Sequence, residues 1–296
     1  MIPDEVMTTI LRVLDCTREQ ITDITPSKKG MTNRSFIFAV DGVRYLVRIP
    51  GEGTGKLIDR YHEHATYQAI EPHNLCDDVL FLDPQAGYKI TRYLEGSRVC
   101  DPTDDGDVEA CMRRLRQFHD LQLSVEHTFD LFGEIEHYES LWDGTASVYD
   151  DYAQTKAAVM ALKGYIDAHA CEQTLAHIDA VPDNFLFCDG QIRLIDWEYA
   201  GMHDPHIDVA MFAIYALYDR SRIEALIDTY FVEGCLSATR LKIYCYIAVC
   251  GLLWSNWCEF KRQLGVDFGD YARDQYRYAK EYVKVFQTEQ NKRRKD

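Results

Sequence analysis

The segment that decides the fold is Leu175–Ala200, LAHIDAVPDNFLFCDGQIRLIDWEYA. Its first half places Asn184 five positions after Asp179. Its second half contains the turn signal Asp189-Gly190, then a short apolar run that predicts a strand, and then Asp196 at the end of that strand. The segment therefore predicts a loop and a hairpin that present polar side chains at their ends.

These polar residues have the chemistry that phosphoryl transfer requires. A carboxylate must lie beside the attacking hydroxyl, while an amide and a second carboxylate hold Mg²⁺ against the phosphates. We expect Asp179 to orient or deprotonate the hydroxyl, and Asn184 and Asp196 to bind the metal. A few oxygen ligands, completed by phosphates and water, are what Mg²⁺ prefers.

The segment resembles a known group of enzymes. The pattern HxDxxxxN over His177–Asn184, followed by a strand that ends in Asp196, is similar to the aminoglycoside phosphotransferases and choline/ethanolamine kinases of the protein-kinase-like superfamily. Ile178 and Val181 replace the Arg and Lys of protein kinases, and Trp197-Glu198 stands where Phe-Gly would be. These departures favour a small-molecule kinase over a protein kinase.

The resemblance implies an α+β, two-lobed, protein-kinase-like fold. We expect a small, mainly antiparallel β N-lobe over residues 1–94, which binds the nucleotide. A larger, mostly helical C-lobe over residues 95–296 would carry catalysis and substrate binding. In such a fold Asp208 resembles the Asp that bonds the backbone of the catalytic loop, so Asp208 and His177 are expected to be structural supports.

Composition limits the partners. The chain has 296 residues, ten cysteines without a CxxC pair and a formal net charge of −16. The negative charge disfavours nucleic-acid binding and suits a small cationic substrate.

Residues 1–14 lack a basic start and an apolar signal core, and the apolar run 244–254 is too short for a membrane span. Scattered cysteines predict reduced thiols, and we therefore expect a cytoplasmic location.

Two N-terminal runs predict a hairpin. Residues 35–40 and 43–49 are strand-like, and Asp41-Gly42 between them is a strong turn signal. The Gly30–Ser35 stretch before them lies where the resemblance places a loop that covers the phosphates of ATP. The residues in it that could contact phosphate oxygens are Asn33 and Ser35.

The second of these strands carries the cation that the resemblance assigns to the phosphates. Arg48 could chelate phosphate oxygens with its planar guanidinium. Glu63, on the helix predicted to follow, would be its ion-pair partner. Tyr93 and Leu94 lie in the predicted connection between lobes, which binds adenine through backbone groups in relatives.

The C-terminal third contains an aromatic pair. Trp254 and Trp257 are three residues apart and share one face of a predicted helix, as core residues often do. After this catalytic loop, the WSNW run resembles the tryptophan pair of choline kinases that surrounds a quaternary ammonium. Such a cation has no N–H to donate, so aromatic faces and nearby carboxylates must hold it. Further candidates for this site are Glu198, Tyr199 and either Tyr276 or Tyr278.

Four short runs, RIPG, HIDAVPDNFL, IDWEYAG and DFGDYA, are similar to the bacterial choline kinases that make phosphocholine for surface polysaccharides. The resemblance therefore implies an ATP- and Mg²⁺-dependent kinase that phosphorylates the hydroxyl of choline. One alternative is a kinase for another amine, such as ethanolamine, thiamine or an aminoglycoside. The other is a catalytically inactive protein that binds choline or nucleotide.

Overall fold

The computed structural model describes residues 2–27 and 33–293. The chain forms two compact units, of which the first comprises Met1–Arg98 and Leu186–Glu198 and the second Val99–Phe185 and Tyr199–Asp296. The sequence predicted lobes of 1–94 and 95–296. It gave no sign that residues 186–198, which include Asp196, belong to the first unit.

The first unit is built on a mainly antiparallel sheet. Its strands are β1 Ile21–Ser27, β2 Arg34–Val40, β3 Val43–Ile49, β4 Val79–Leu82 and β5 Lys89–Arg92. They lie in the order β1–β2–β3–β5–β4 with antiparallel neighbours. The predicted hairpin is confirmed, because Asp41 and Gly42 take left-handed φ angles of 50° and 81° and Val40 pairs with Val43. Of the predicted phosphate-covering loop, residues 30–32 lie outside the described residues.

Two helices accompany this sheet, α1 Asp4–Val13 and α2 Arg60–Ile70. Apolar side chains of α1, among them Val6 and Ile10, pack on the sheet residues Phe38 and Val47 in one buried cluster. The α2 helix begins after Asp59, whose carboxylate accepts hydrogen bonds from the backbone N–H groups of residues 61 and 62. This cap fixes the helix that carries Glu63.

A second, three-stranded sheet has the order β6–β8–β9. Its strands are β6 Arg98–Val99, β8 Phe185–Cys188 and β9 Gln191–Leu194. The turn between β8 and β9 is the predicted one, since Asp189 and Gly190 have φ angles of 50° and 72°. The strand predicted before Asp196, over Ile192–Ile195, is present as β9 and ends one residue earlier, at Leu194.

The second unit is mostly helical. Its helices are α3 Asp105–Asp120, α4 Leu131–Ser140, α5 Tyr152–Met160, α6 Lys163–Ala168, α7 His206–Tyr215, α8 Arg220–Tyr230, α9 Ser237–Gln263 and α10 Asp270–Arg293. A two-stranded ladder pairs β7 Thr174–Ala176 with β10 Gly201–His203, on either side of the decisive segment. A 3₁₀ turn, Pro182–Asn184, lies inside that segment.

The α9 helix is buried along most of its length, and α10 packs closely against it. The close approach needs a glycine, because a Cβ at Gly251 would lie 2.7 Å from the carbonyl oxygen of Gln275. Within the described residues, no helix is both long enough and apolar enough to span a bilayer. The antiparallel sheet unit and the helical unit confirm the predicted α+β fold class.

Candidate active site

Arg48 is the centre of a buried cluster of charged groups in the first unit. It lies on β3 and is 5% exposed. Its Nη2 lies 2.7 Å from Glu63 Oε1 on α2, and its Nη1 donates to Asp196 Oδ1 at 3.2 Å. Nη2 also donates to the carbonyl oxygen of Gly87 at 3.1 Å. The structure thus contains the ion pair between residues 48 and 63.

A second arginine joins this cluster. Arg60 Nη1, one turn before Glu63 on α2, lies 2.7 Å from Glu63 Oε2 and 3.0 Å from Glu198 Oε2. Glu198 also receives Arg48 Nη1 at 3.3 Å. Two guanidinium groups therefore face three carboxylates, those of Glu63, Asp196 and Glu198. Burying so many charges is tolerable only because each one has partners of opposite sign.

The pKa values in the cluster follow from burial and from these partners. Burial opposes the charged form of Arg48, but the carboxylates of Glu63, Glu198 and Asp196 outweigh it and raise the pKa of Arg48. For Glu63, burial is outweighed by Arg48 and Arg60, so its pKa is lowered. For Glu198, burial and the charge of Asp196 prevail, and its pKa is raised. Arg48 and Arg60 therefore favour the charged form of both carboxylates, and burial opposes it.

The two residues expected to contact phosphates lie beside this cluster. Asn33 Nδ2 donates to Glu198 Oε2 at 3.2 Å. Ser35 on β2 is the direct cross-strand partner of Arg48. Partners in an antiparallel pair project from the same face of the sheet. Ser35 and Arg48 therefore share the face that carries the charged cluster.

The predicted connection between lobes follows β5. The backbone N–H of Tyr93 donates to the carbonyl oxygen of Arg44 at 3.0 Å, and the carbonyl of Leu94 accepts from Ser97 N at 3.4 Å. The guanidinium of Arg44 lies over the Tyr93 ring, 4.5 Å from its centroid, and pairs with Glu95. These contacts fix the backbone of the segment expected to receive adenine.

Asp196 follows β9 on left-handed backbone, with a φ of 65°. Its side chain is 33% exposed. The next residue, Trp197, is fully buried and donates from Nε1 to the carbonyl oxygen of Leu194 at 2.7 Å. This bond closes the turn and leaves the Asp196 carboxylate beside Arg48.

In the second unit, Asp208 holds the start of the catalytic loop, which we define as residues 177–184. Its buried carboxylate accepts hydrogen bonds from the backbone N–H groups of His177 at 2.9 Å and Ile178 at 2.7 Å. His119 Nε2 lies 2.9 Å from the same carboxylate. Ile178 has a left-handed φ of 67°, a strained conformation that these bonds stabilise.

Asn184, the last residue of this loop, folds back onto Asp179. Asn184 Nδ2 donates to the backbone carbonyl of Asp179 at 2.9 Å and to its carboxylate Oδ2 at 3.2 Å. Since the amide nitrogen is used in this way, the atom of Asn184 suited to a cation is Oδ1. That oxygen and the partly exposed carboxylate of Asp196 are hard ligands of the kind that fit Mg²⁺.

The tryptophan pair belongs to a series of aromatic rings in the second unit. Trp254 and Trp257 contact each other edge to face, with centroids 5.7 Å apart, and Tyr199 contacts Trp254 at 5.2 Å. Phe268 lies 4.9 Å from Trp257, and Tyr271 lies 6.4 Å from Phe268. Trp254 and Trp257 are 5% and 2% exposed, as residues of a core would also be. We call these five residues the aromatic series.

The two remaining tyrosine candidates make packing contacts. Tyr278 is 1% exposed, and its hydroxyl donates to the carbonyl oxygen of Tyr218 at 2.6 Å. Tyr276 stacks on Tyr149 with centroids 3.7 Å apart and donates to Asp151 at 2.8 Å. Both hydroxyls are thus used by the protein itself.

Sequence reasoning missed three residues of the site. The signal for Arg60 was its spacing of three residues from Glu63 at the start of a predicted helix, which places both on one face. Phe268 and Tyr271 lie in the run DFGDYA, whose sequence gives no indication that these rings neighbour Trp257. Glu198 was expected near a cationic substrate, and the structure pairs it with Arg48 and Arg60.

A family model, a related sequence and solved structures are each similar to this chain over most of its length. Residues 23–243 match the model of the APH phosphotransferase enzyme family. Protein LicA of Haemophilus influenzae is 28% identical over 256 residues, which cover 82% of this chain and 75% of LicA. The crystal structure of choline kinase LicA from Streptococcus pneumoniae has a TM-score of 0.83 at 26% identity, and the similarity covers 95% of this chain and 99% of that one. A structure of LicA in complex with AMP has a TM-score of 0.82 at 27% identity, covering 95% and 98%.

Proposed function

The chain belongs to the phosphotransferase enzyme family, and we propose that it transfers the γ-phosphoryl group of ATP to the hydroxyl of choline, forming phosphocholine. The observation that carries the choice of choline is the similarity, over almost the whole chain, to a solved choline kinase. ATP as the donor is supported by the complex of a LicA protein with AMP. The residues of the two units are compatible with this reaction, each in the role described below.

Asp179 is the residue proposed to act on the acceptor. Its carboxylate would accept the proton of the choline hydroxyl, or orient that hydroxyl for attack. The bonds from Asn184 Nδ2 hold the carboxylate in place. The bonds of Asp208 to the loop backbone fix the position from which Asp179 projects.

Asn184 and Asp196 are proposed as the protein ligands of Mg²⁺. When bound, Mg²⁺ neutralises charge on the phosphate oxygens during transfer. The protein's part is to present an amide oxygen and a carboxylate that are already oriented by Asp179 and Arg48, respectively.

Arg48 is proposed to bind the phosphates of ATP, supported by Glu63 and by the phosphate-covering residues Asn33 and Ser35. A guanidinium held by carboxylates is fixed in direction. Because both terminal nitrogens of Arg48 already donate within the cluster, phosphate oxygens would take the place of the Asp196 and Glu198 contacts at Nη1. Tyr93 and Leu94 would meet adenine through backbone groups. Because Glu198 is paired with both arginines, we propose that it positions them and does not contact choline.

For choline, we propose that Tyr199, Trp254 and Trp257 surround the trimethylammonium group. Aromatic faces attract a cation that cannot donate hydrogen bonds, and the attraction is strongest where water is excluded. For Tyr278 the packing contacts support a role in holding α10, since its hydroxyl is already bonded to Tyr218. Ethanolamine, with N–H donors, would gain less from such a site than choline.

We also propose that the reaction takes place in the cytoplasm. Burial raises the pKa of the Cys76 thiol to about 12, and Cys245, Cys250 and Cys258 are buried with raised pKa values as well. Such thiols are unreactive apolar side chains, typical of proteins in a reducing compartment.

The test is an ADP-release assay with Mg²⁺ and ATP over a panel of acceptors. The panel contains choline, ethanolamine, thiamine, an aminoglycoside and 3,3-dimethylbutan-1-ol, the neutral isostere of choline. We expect the highest kcat/KM with choline, little activity with the isostere, and phosphocholine as the product by phosphorus NMR. A clear preference for another amine would replace choline, and ATP binding without turnover on any acceptor would favour an inactive binding protein.

A further inference from the structure

The α7 helix contacts the catalytic loop at two points. Near its start, the Asp208 carboxylate accepts from the N–H groups of His177 and Ile178. At its last residue, the Tyr215 hydroxyl donates to Asp183 Oδ2 at 2.8 Å. Seven residues separate 208 from 215, about two helical turns or ~10 Å, so both side chains project from one face of α7. One helix therefore holds both ends of the loop.

The second contact bears on the residues that perform the chemistry. Asp183 lies in the 3₁₀ turn Pro182–Asn184. Within this turn the N–H of Asn184 donates to the Val181 carbonyl at 2.9 Å, and the N–H of Val181 donates to the Asp179 carbonyl at 2.8 Å. Asn184 is also bonded to the Asp179 carboxylate. Fixing Asp183 thus restricts the movement of Asn184 and Asp179 together.

The ring of Tyr215 continues the aromatic series. Its centroid lies 5.8 Å from that of Tyr271, in an edge-to-face contact. Through Phe268, the series then reaches Trp257 and Trp254. Burial, followed by the bond to Asp183, raises the pKa of Tyr215, so its hydroxyl keeps the proton that it donates. One side chain therefore touches both the catalytic loop and the aromatic series, whose other end contains the rings proposed to hold choline.

We propose that Tyr215 is a positioning residue, which fixes Asn184 and Asp179 through Asp183 and links their placement to the aromatic series. The proposal rests on the proposed function, since it concerns the same loop and the same acceptor. It requires no contact between Tyr215 and any substrate.

The test compares Tyr215→Phe, which removes only the hydroxyl, with Asp183→Ala, the double variant and a matched control. The control is Tyr244→Phe, which removes a tyrosine hydroxyl bonded to the Glu224 carboxylate on α8. We expect Tyr215→Phe to lower kcat about fivefold, the effect of losing one intramolecular hydrogen bond, with the KM for ATP unchanged. Asp183→Ala should act similarly, and the double variant should be no worse than either single one. Asp183→Asn keeps an acceptor oxygen and should recover most of the activity.

Amide hydrogen exchange of the peptide that contains residues 178–185 supplies a readout that needs no turnover. Tyr215→Phe should accelerate exchange in this peptide, and Tyr244→Phe should not. The inference is overturned if the parent makes phosphocholine but Tyr215→Phe matches it in kcat and exchange, or if the two single effects simply add. A parent without activity on choline would instead refute the proposed function, while the exchange comparison would still test the attachment of the loop. Should Tyr215→Phe fold poorly, the comparison of Asp183→Ala with Asp183→Asn decides the same question.

Discussion

At the scale of single residues, the site combines strained backbone with bonds that hold it. Ile178 and Asp196 are non-glycine residues with φ angles of 67° and 65°. Such conformations cost about 1–3 kcal/mol each and persist only where the surroundings impose them. Asp208 bonds the N–H of Ile178, and the indole of Trp197 closes the turn around Asp196. These two bonds hold the backbone next to Asp179 and Asp196, from which their carboxylates project.

The first prediction concerns Asp179. Asp179→Ala removes the proposed proton acceptor, so kcat should fall by at least ~100-fold, the low end for losing a positioned acid–base group. The KM for ATP should change little, because the phosphates are assigned to Arg48. Steady-state kinetics with choline and ATP varied in turn measure both quantities. Turnover close to that of the parent would remove Asp179 from its role.

The second prediction compares two glycines with left-handed backbone. At Gly87 a Cβ would lie 2.5 Å from Arg60 Nε, whereas at Gly42 nothing lies within 4 Å. Their φ angles are similar, 72° and 81°. Both Gly→Ala variants should therefore lose about 1–2 kcal/mol of unfolding free energy through the backbone alone. Gly87→Ala should lose about 1–3 kcal/mol more, because Arg60 is buried and held by two carboxylates.

Urea unfolding of both variants measures this difference, and the KM for ATP should rise only in Gly87→Ala, where the arginine cluster is displaced. Equal stability losses in the two variants would show that Arg60 moves away without cost, and hence that the cluster is not rigid.

The candidate site residues that can be read from the sequence are those whose signal is local. Asp179, Asn184 and Asp196 lie within one segment, where the spacing of a loop and a strand is visible along the chain. The partners of Arg48 differ, because Glu198 is 150 residues away and only the return of residues 186–198 to the first unit brings them together. A glutamate can contact a cationic substrate or an arginine, and the sequence does not show which. Glu198 is therefore expected near the substrate from its position beside Tyr199, whereas the structure pairs it with Arg48 and Arg60.

At the scale of elements, local residue chemistry determines where the hairpins turn, whereas contacts between distant parts of the chain determine how the helices pack. Asp-Gly pairs produced both predicted turns, since left-handed backbone at each second turn position suits glycine. The packing of α4, α5 and α6 on α9 cannot be predicted from the sequence, because their own periodicity does not indicate which neighbour they contact. The α9 helix, buried on nearly all sides, has no polar face that would mark its orientation.

The third prediction tests the contact between α9 and α10. A Cβ at Gly251 would meet two backbone atoms of α10, Gln275 O at 2.7 Å and Ala279 N at 2.9 Å, and backbone cannot move aside as a side chain can. Gly251→Ala should therefore destabilise the protein by about 1–3 kcal/mol or more, despite the better helix propensity of alanine. The control is Gly164→Ala on α6, where nothing lies within 4 Å and stability should be unchanged or up to about 1 kcal/mol higher.

Thermal unfolding of the two variants gives the sign of each effect directly. If Gly251→Ala melts at the temperature of the parent, the helices separate at little cost and the close approach is not a constraint on the fold.

At the scale of the whole molecule, charge and aromatic content point to the same kind of substrate. The formal net charge of −16 favours a cation over an anion in the surrounding field. ATP, an anion, then needs local positive charge, which we assign to Arg48 together with Mg²⁺, because the carboxylates around Arg48 and Arg60 offset much of the charge of the two arginines. The aromatic rings that we propose to hold choline also belong to the core of the second unit.

The last prediction separates binding from stability for Trp254 and Trp257. If their rings hold choline, Trp→Ala at either position should raise the KM for choline, since a desolvated cation–π contact is worth about 1–2 kcal/mol, roughly tenfold in affinity at 1.4 kcal/mol. Trp→Phe should lose less, because a weaker ring quadrupole remains. A purely structural tryptophan would instead cost about 3–5 kcal/mol of folding stability on truncation to alanine, and the KM values for ATP and choline would worsen together. Melting temperature and both KM values, measured on each variant, distinguish these cases. A rise in the KM for choline that exceeds any change for ATP supports the proposed site, whereas lost stability without a selective effect on choline returns both rings to the core and leaves the acceptor to be found among other alcohols.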